Sequence, residues 1–262
     1  MFEFHADRKR YFDIQVLNSQ KYILPFIESN FSATQGMRVL EIGCGEGGVL
    51  KPFLDKGDVC VGVEFDPIRI ENGKTWLDEE IKNGRLSFVV KDIYDTTAES
   101  LGGKFDVIIL KDVIEHIHDQ AKLLGRLKEF LTPHGIIFFG FPPWQMPFGG
   151  HQQLCRSRLS KVPYFHLLPN PLYKMVLKLF NEPQHVIHDL LEIKETGISL
   201  ERFEKTVKQA DYRIVSKINY LFNPIYENKF NIKPRKQNYL ISKIPYLRDY
   251  VTTCAYYIIT KN

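Results

Sequence analysis

Between Val39 and Gly48 the chain reads Val39-Leu40-Glu41-Ile42-Gly43-Cys44-Gly45-Glu46-Gly47-Gly48, an apolar strand that breaks into a glycine turn. A helical pattern resumes at Val49-Leu50-Lys51-Pro52-Phe53-Leu54. Strand, glycine turn and helix in that order make a βα nucleotide-binding loop, in which the backbone rather than the side chains does the binding. Glycine is needed because a Cβ would hold the main chain off the ligand and because such turns often take φ above zero. Two spacings overlap here, Gly43-x-Gly45-x-x-Gly48 and Glu41-x-Gly43-x-Gly45-x-Gly47, and the loop alone does not choose between them.

Neighbouring strands separate the two. Val59-Cys60-Val61-Gly62-Val63-Glu64 is a second buried strand ending in an acid, where a carboxylate can accept both hydroxyls of a ribose. Leu86-Ser87-Phe88-Val89-Val90 is a third, followed by Asp92, placed to take the exocyclic amine of an adenine. Glu41 stands just ahead of the first glycine, where a dinucleotide loop usually has an apolar residue. Together with Phe105-Asp106-Val107-Ile108-Ile109-Leu110-Lys111-Asp112-Val113-Ile114-Glu115-His116-Ile117, these motifs resemble the class I S-adenosylmethionine (SAM)-dependent methyltransferases, of the small-molecule type, over residues 36–141. The resemblance implies an α/β fold: a doubly wound seven-stranded sheet of order 3-2-1-4-5-7-6, last strand antiparallel, helices on both faces and a helical lid inserted after strand 5. It implies SAM as cofactor, with Glu64 on the ribose, Asp92 and Ile93 by the adenine, Phe65 beside the adenosine, and Gly43, Cys44 and Gly45 on the methionine and ribose portions. Glu41, Leu110 and Lys111 complete that set at the strand ends. Glu46 is left out because its side chain can face solvent.

The rest of the chain reads as one domain, 1–262, with three elaborations. The first, 1–30, is an N-terminal helical cover whose apolar positions Tyr11, Ile14, Leu17, Ile23 and Leu24 lie near helical spacing, with Arg10, Tyr11 or Gln15 able to touch the cofactor. Asp66-Pro67 opens a helix through about Ile81, closed by Asn83-Gly84. A further helix runs from about Gln120 to Leu131, and the apolar run Gly135–Phe141 reads as a strand buried on both faces. Residues 142–198 then depart from the family pattern. Their start, Pro142-Pro143-Trp144-Gln145-Met146-Pro147-Phe148-Gly149-Gly150-His151, lies where parallel sheets bind ligands, and they hold a helical stretch Leu172–Phe180. They are expected to form a substrate lid, or else a structural cover or homodimer surface. Ser199 caps a helix, Tyr212–Tyr220 and Ala255–Thr260 are strands, and a second insertion, 221–253, separates them.

Composition narrows the classes. Hydrophobic residues are 44% and charged residues 25%, which is globular rather than disordered. No apolar run reaches the roughly 20 residues of a membrane span, and no apolar segment follows the charged opening residues as in a leader peptide. Cys44, Cys60, Cys155 and Cys254 are widely spaced, so reduced thiols and a cytoplasmic setting are expected. The net charge is +4, and from Arg213 onward nine Lys or Arg face two acids, Glu227 and Asp249. Such a basic tail could meet an anionic substrate, a membrane surface or a nucleic acid, or simply be solvated. No RNA-binding module is visible, so nucleic acid is not expected as a partner.

The expected reaction is methylation of an oxygen on a hydroxylated small molecule such as a sugar, phenol or quinone precursor. His151, directly beyond strand 5, is the candidate general base, with His166, His185 and His188 as rivals. His116-x-His118 beside Glu115 and Asp119 invites a metal, but sequence fixes no third ligand and none is expected. An NAD-dependent oxidoreductase or epimerase stays as an alternative on the overlapping glycine spacing, though no Tyr-x-x-x-Lys pair stands near strand 4 or 5. A non-catalytic SAM-binding protein is the other.

Overall fold

The computed structural model describes residues 7–31 and 36–262. Residues 1–6, which begin the expected N-terminal cover and the stretch read for a leader, lie outside the described residues. Eight strands form one sheet: β1 Arg38–Ile42, β2 Val59–Glu64, β3 Leu86–Val90, β4 Phe105–Lys111, β5 Leu131–Phe141, β6 Tyr212–Phe222, β7 Arg235–Lys236 and β8 Cys254–Lys261. Their order is β3-β2-β1-β4-β5-β8-β6-β7. The first five pair in parallel. β8 enters antiparallel between β5 and β6, the reversed edge that the sequence motifs imply. The eighth strand was not expected. β7 is two residues of the second insertion that pair antiparallel to the end of β6, Tyr220 with Lys236 and Phe222 with Arg235.

Alternation along β5 explains why helices must cover both faces. Ile137, Phe139 and Phe141 enter one apolar cluster, while Ile136 and Phe138 enter the other. Against the first pack α6, Gln120–Phe130, through Leu123, Leu124 and Leu127, and α9, Leu200–Gln209, through Phe203 and Val207. Phe139 and Phe203 meet edge to face at 5.0 Å. Against the second lie α1, Arg8–Asn18, its continuation through a wide turn at Ser19–Ile23 into α2, Leu24–Glu28, and α3, Lys51–Asp55.

Several boundaries differ from the sequence expectation for local reasons. The helix opened by Asp66, whose carboxylate accepts from Ile68 N at 2.9 Å, runs only from Pro67 to Trp76 as α4. At Leu77 the backbone leaves helical geometry with its side chain buried, and α5, Asp78–Lys82, restarts. β5 begins at Leu131, because Leu131 pairs with Phe105 before a bulge takes up the residues ahead of Ile136. Between β5 and α9 stand α7, Asn170–Leu179, and α8, Gln184–Thr196, packed around their own cluster of Phe165, Tyr173, Leu177 and Leu190. The sequence reading contained α7 and missed α8. The second insertion holds three short helices: α10 Tyr226–Phe230, α11 Tyr239–Ser242 and α12 Leu247–Tyr250.

Candidate active site

The glycine turn after β1 is held against β2 by Gly43 N and Cys44 N, which both donate to Val63 O at 2.8 and 3.2 Å. Gly43 has φ 69°, and a Cβ there would lie 2.6 Å from Val113 Cγ2, so glycine is required twice over. Gly45 differs: its φ is 54°, but a Cβ would meet nothing nearer than Arg69 Nη1 at 3.8 Å. Gly45 is buried, yet the space on its Cβ side is unfilled. Gly43→Ala is expected to destabilise the fold by about 2 kcal/mol, from the left-handed conformation and the contact with Val113, readable by chemical denaturation. An unchanged midpoint would mean that the turn relaxes freely.

Glu64, buried at the end of β2, turns its carboxylate back onto this turn. Oε2 accepts from Gly45 N at 3.0 Å, and Oε1 accepts from Phe65 N at 2.9 Å and Asp66 N at 3.1 Å. A carboxylate has about four acceptor positions, so capacity is left over. Phe65, expected beside the adenosine, is 79% exposed next to Glu64. Glu41 is buried with Oε2 unpartnered among the described residues. Burial, then the nearby Glu64 charge, pushes its carboxyl well above the usual range, against the opposing pull of Lys111. Cys44 is likewise buried, and Ile93 is in the core. Asp92 is exposed and caps its own turn, accepting from Tyr94 N at 2.9 Å, and no described contact ties it to Glu64 or Gly45.

From the N-terminal side, α1 reaches the loop in a manner that sequence did not give. Arg8 Nη1 stands 3.4 Å from Glu46 Oε1, and Glu46 is buried rather than facing solvent. Gln15 lies against Gly48, whose Cβ would be 2.9 Å from Gln15 Cβ. Tyr11 is placed among Asp112, Lys111 and Arg69; burial, then the Asp112 charge, raises its hydroxyl pKa. Arg10 is exposed.

The far wall follows β4. Leu110 is buried, and Lys111 runs its side chain along Gly140 to bring Nζ within 2.5 Å of Asp112 Oδ2. Burial disfavours the Lys111 charge most, but Asp112, Cys254 and Tyr256 together outweigh it and lift the ammonium above its ordinary pKa. Asp112 itself takes φ 56°, a strained backbone for a residue with a Cβ. Burial and then Asp112 push Glu115 well up, and its Oε2 has no partner among the described residues.

His151 joins this wall. Its ring centroid is 5.0 Å from that of His116, and Glu115, His116 and His151 present ligand atoms all within 4.8 Å of one another. His151 adopts φ 53°, and burial followed by the His116 charge lowers its pKa to about 4, leaving a neutral imidazole at physiological pH. His118, the partner that local spacing offered His116, turns instead to Glu192 at 3.6 Å. The rival bases lie elsewhere. His166 is fully buried and structural, with Nδ1 2.7 Å from Gln152 Nε2 and Nε2 2.8 Å from Trp144 O. His185 lines a separate 660 Å³ cavity with Cys155 and Lys161, and exposed His188 faces Asp189 at 3.8 Å.

Burial also holds His166 at about 4. Both His151 and His166 are thus depressed below their unfolded value near 6.5, so at these two positions the unfolded chain binds more protons between pH 6.5 and 4. The stability these two rings contribute is complete above pH 6.5 and is lost as pH falls through that window, on the order of 1.4 kcal/mol per unit for each histidine. Buried Glu41, Glu115 and Asp249, held above the ordinary carboxylate range, act in the opposite sense. Thermal unfolding of the wild type and of His166→Gln across pH 4–7.5 checks this: the melting temperature of the wild type should decline more than that of the variant as pH drops from 6.5 to 4.5, and an equal pH dependence contradicts it.

Comparison with known proteins agrees with this geometry. Residues 18–165, more than half of the chain, match the family model of a methyltransferase domain. Over 110 residues the chain is 31% identical to the ubiquinone biosynthesis O-methyltransferase of Rhodopseudomonas palustris (strain BisB5), covering 41% of this chain and 41% of that relative. A longer match, 23% identical over 210 residues, joins 79% of the chain to 72% of the Brucella ovis protein of the same name. The first of these matches thus spans well under half of its relative's length. Among solved structures, an S-adenosylmethionine-dependent methyltransferase from Clostridium acetobutylicum superposes with TM-score 0.57 at 12% identity, over 94% of this chain and 91% of that one, a likeness of fold. No helix of the described residues is long and apolar enough to cross a membrane, and all four cysteines are free and buried. With its glycine turn, acid-tipped second strand and reversed sheet edge, the chain belongs to the methyltransferase-domain family and has the class I SAM-dependent methyltransferase fold.

Proposed function

We propose that the chain is a SAM-dependent methyltransferase that methylates an oxygen of a hydroxylated small molecule. The observation that carries this reading is Glu64, a buried carboxylate with acceptor capacity to spare, set between the unfilled space beside Gly45 and the exposed ring of Phe65. An adenosyl group fits there: ribose hydroxyls for Glu64, an aromatic face for the adenine, and an unpartnered acid, Glu41, close to the loop. Gly43, Cys44 and Gly45 would hold the ligand by backbone, Tyr11 would close over it, and Leu110 and Lys111 would line its far side. Asp92 and Ile93 would border the adenine.

When bound, SAM supplies a methyl carbon on a positive sulfur whose departure leaves a neutral thioether. The residues then have to align the acceptor oxygen and exclude water, worth on the order of 7–11 kcal/mol where orientation is good. His151, neutral and on the substrate side, takes the hydroxyl proton as the oxygen–carbon bond forms. Residues 142–198, which deliver His151, act as the substrate lid of a single domain. The relatives' name supports a phenolic or quinone-like acceptor. The basic C-terminal region favours an anionic one, and four free thiols support a cytoplasmic setting.

Thermal-shift measurements with SAM, its demethylated product and NAD, followed by mass-spectrometric detection of methylated metabolites, test the proposal. Stabilisation by the first two and product formation are expected. Stabilisation by NAD alone would return the oxidoreductase reading, and binding without any product would leave a SAM-binding protein.

A second reading of the same wall is favoured by Glu115, His116 and His151 standing within 4.8 Å. These donors suit a divalent cation, which would acidify a coordinated hydroxyl and make a protein base unnecessary. Full activity in EDTA supports the proton-transfer role of His151, and activity lost in EDTA and restored by Mg²⁺ or Zn²⁺ supports the cation.

A further inference from the structure

The second insertion carries exposed apolar side chains that the methyl-transfer reading does not use. From Asn228 to Arg248 the chain has six Lys or Arg and no acid. Within this run Tyr239 is 67% exposed, Leu240 70%, Ile244 46%, Tyr246 70% and Leu247 49%. These residues lie on α11, α12 and the turn between them, with exposed Lys243 above the Tyr239 ring at 4.1 Å. Exposed Arg235 and Lys236 stand on the sheet-edge strand β7 and, like Lys243, form no ion pair among the described residues.

This exposure is not that of a loose segment. Arg248 is buried and binds Glu201 at 2.8 Å and Glu204 at 3.1 Å, both on α9. Asp249 Oδ2 accepts from Leu200 N at 3.0 Å, and Gln237 Nε2 donates to Arg248 O and Thr252 Oγ1 at 3.0 and 2.9 Å. Tyr164 of the 142–198 segment donates its hydroxyl to Tyr250 O at 3.0 Å. The insertion is thus fastened on its inner side, and its apolar side chains are held outward at the cost of their hydration.

We propose that this face docks the protein on the surface of an anionic lipid bilayer. Exposed Tyr, Leu and Ile on two short helices and the turn between them, with Lys243 over Tyr239 and Arg235 and Lys236 just ahead of them in the chain, match the requirements of an interface: apolar side chains enter the acyl boundary, tyrosines sit at headgroup depth and cations meet lipid phosphates. Charge argues against a second copy as the occupant. A two-fold dimer presents the same acid-free run from both sides, so Arg235, Lys236 and Lys243 would meet no carboxylate of that run across the interface. A nucleic acid would neutralise the cations but leave Leu240, Ile244 and Leu247 uncovered. The inference is independent of methyl transfer, since it needs neither Glu64 nor His151.

The test is vesicle co-sedimentation of the full chain with phosphatidylcholine alone and with phosphatidylcholine containing phosphatidylglycerol. Binding to the anionic vesicles is expected, at least tenfold stronger than to the neutral ones and weakened by salt. Lys236→Glu with Lys243→Glu should weaken it roughly tenfold or more, and Leu240→Ser with Tyr246→Ser, exposed sites that leave the fold intact, should weaken it comparably. Equal partitioning to both vesicles, or none, overturns the proposal. So does self-association in light scattering that the serine pair abolishes without lipid being bound, and so does binding of RNA that only the charge reversals remove.

Discussion

Glu64→Ala is expected to weaken SAM binding about 100-fold in titration calorimetry, the equivalent of about 3 kcal/mol for lost hydrogen bonds to a charged acceptor. The effect is large because the carboxylate has two duties. It accepts from the Gly45, Phe65 and Asp66 amides and so fixes the glycine turn, and in the proposed complex its remaining acceptor position takes a ribose hydroxyl. Alanine leaves buried amides without an acceptor, which costs about 1–3 kcal/mol of stability as well. Glu64→Gln separates the two duties: its single carbonyl oxygen keeps part of the turn, while its amide donors cannot replace both acceptor positions, so an intermediate loss of about tenfold is expected. Affinity should be read only where circular dichroism shows the variant folded. An unchanged affinity in Glu64→Ala removes the ribose assignment.

His151→Asn is expected to lower kcat by 10²–10⁴-fold while leaving SAM affinity within about twofold, the range typical of general-base removal. Asparagine is the cleaner replacement because position 151 has φ 53°, which Asn tolerates and Ala resists. The loss should be of similar size in His151→Ala, with some added instability. Because the imidazole titrates only near pH 4, the wild-type kcat attributable to this group should stay level from pH 8 down to about pH 5. The flat profile has a simple origin: burial and the neighbouring His116 keep the ring neutral, so acid must fall well below 6.5 before it protonates. A kcat within threefold of wild type in His151→Asn assigns the proton transfer elsewhere.

What could be read in the sequence was what depends on contiguous residues. The strand-turn-helix around Gly43 and Gly45, the acid closing β2, and the unbroken apolar β5 each declare themselves locally, and the parallel sheet with its reversed edge is what the family these motifs resemble implies. Distances across the fold were not readable. His116 and His151 are 35 positions apart and come together only because β4 and β5 are neighbours in the sheet, so local spacing paired His116 with His118 instead. The same limit hid Arg8 against Glu46, which joins an N-terminal helix to the glycine turn. Asp112, the charge around which Lys111, Tyr11, Glu115 and His151 are arranged, was visible in the quoted motif but had no assigned role, because only the fold shows how many groups converge on it. α8 was missed since its buried face, Val186, Ile187 and Leu190, belongs to a satellite core that covers no strand of the sheet. β7 has just two residues, too few for any alternation to show.

A crystal structure of the chain with S-adenosylhomocysteine would settle most directly whether the crevice at Gly45 is a cofactor site. The expected result is one ligand per chain with its ribose hydroxyls within about 3 Å of the Glu64 carboxylate and its adenine against Phe65. Ligand density away from Gly43–Gly45, or a chain that stays ligand-free at millimolar concentration, would contradict it.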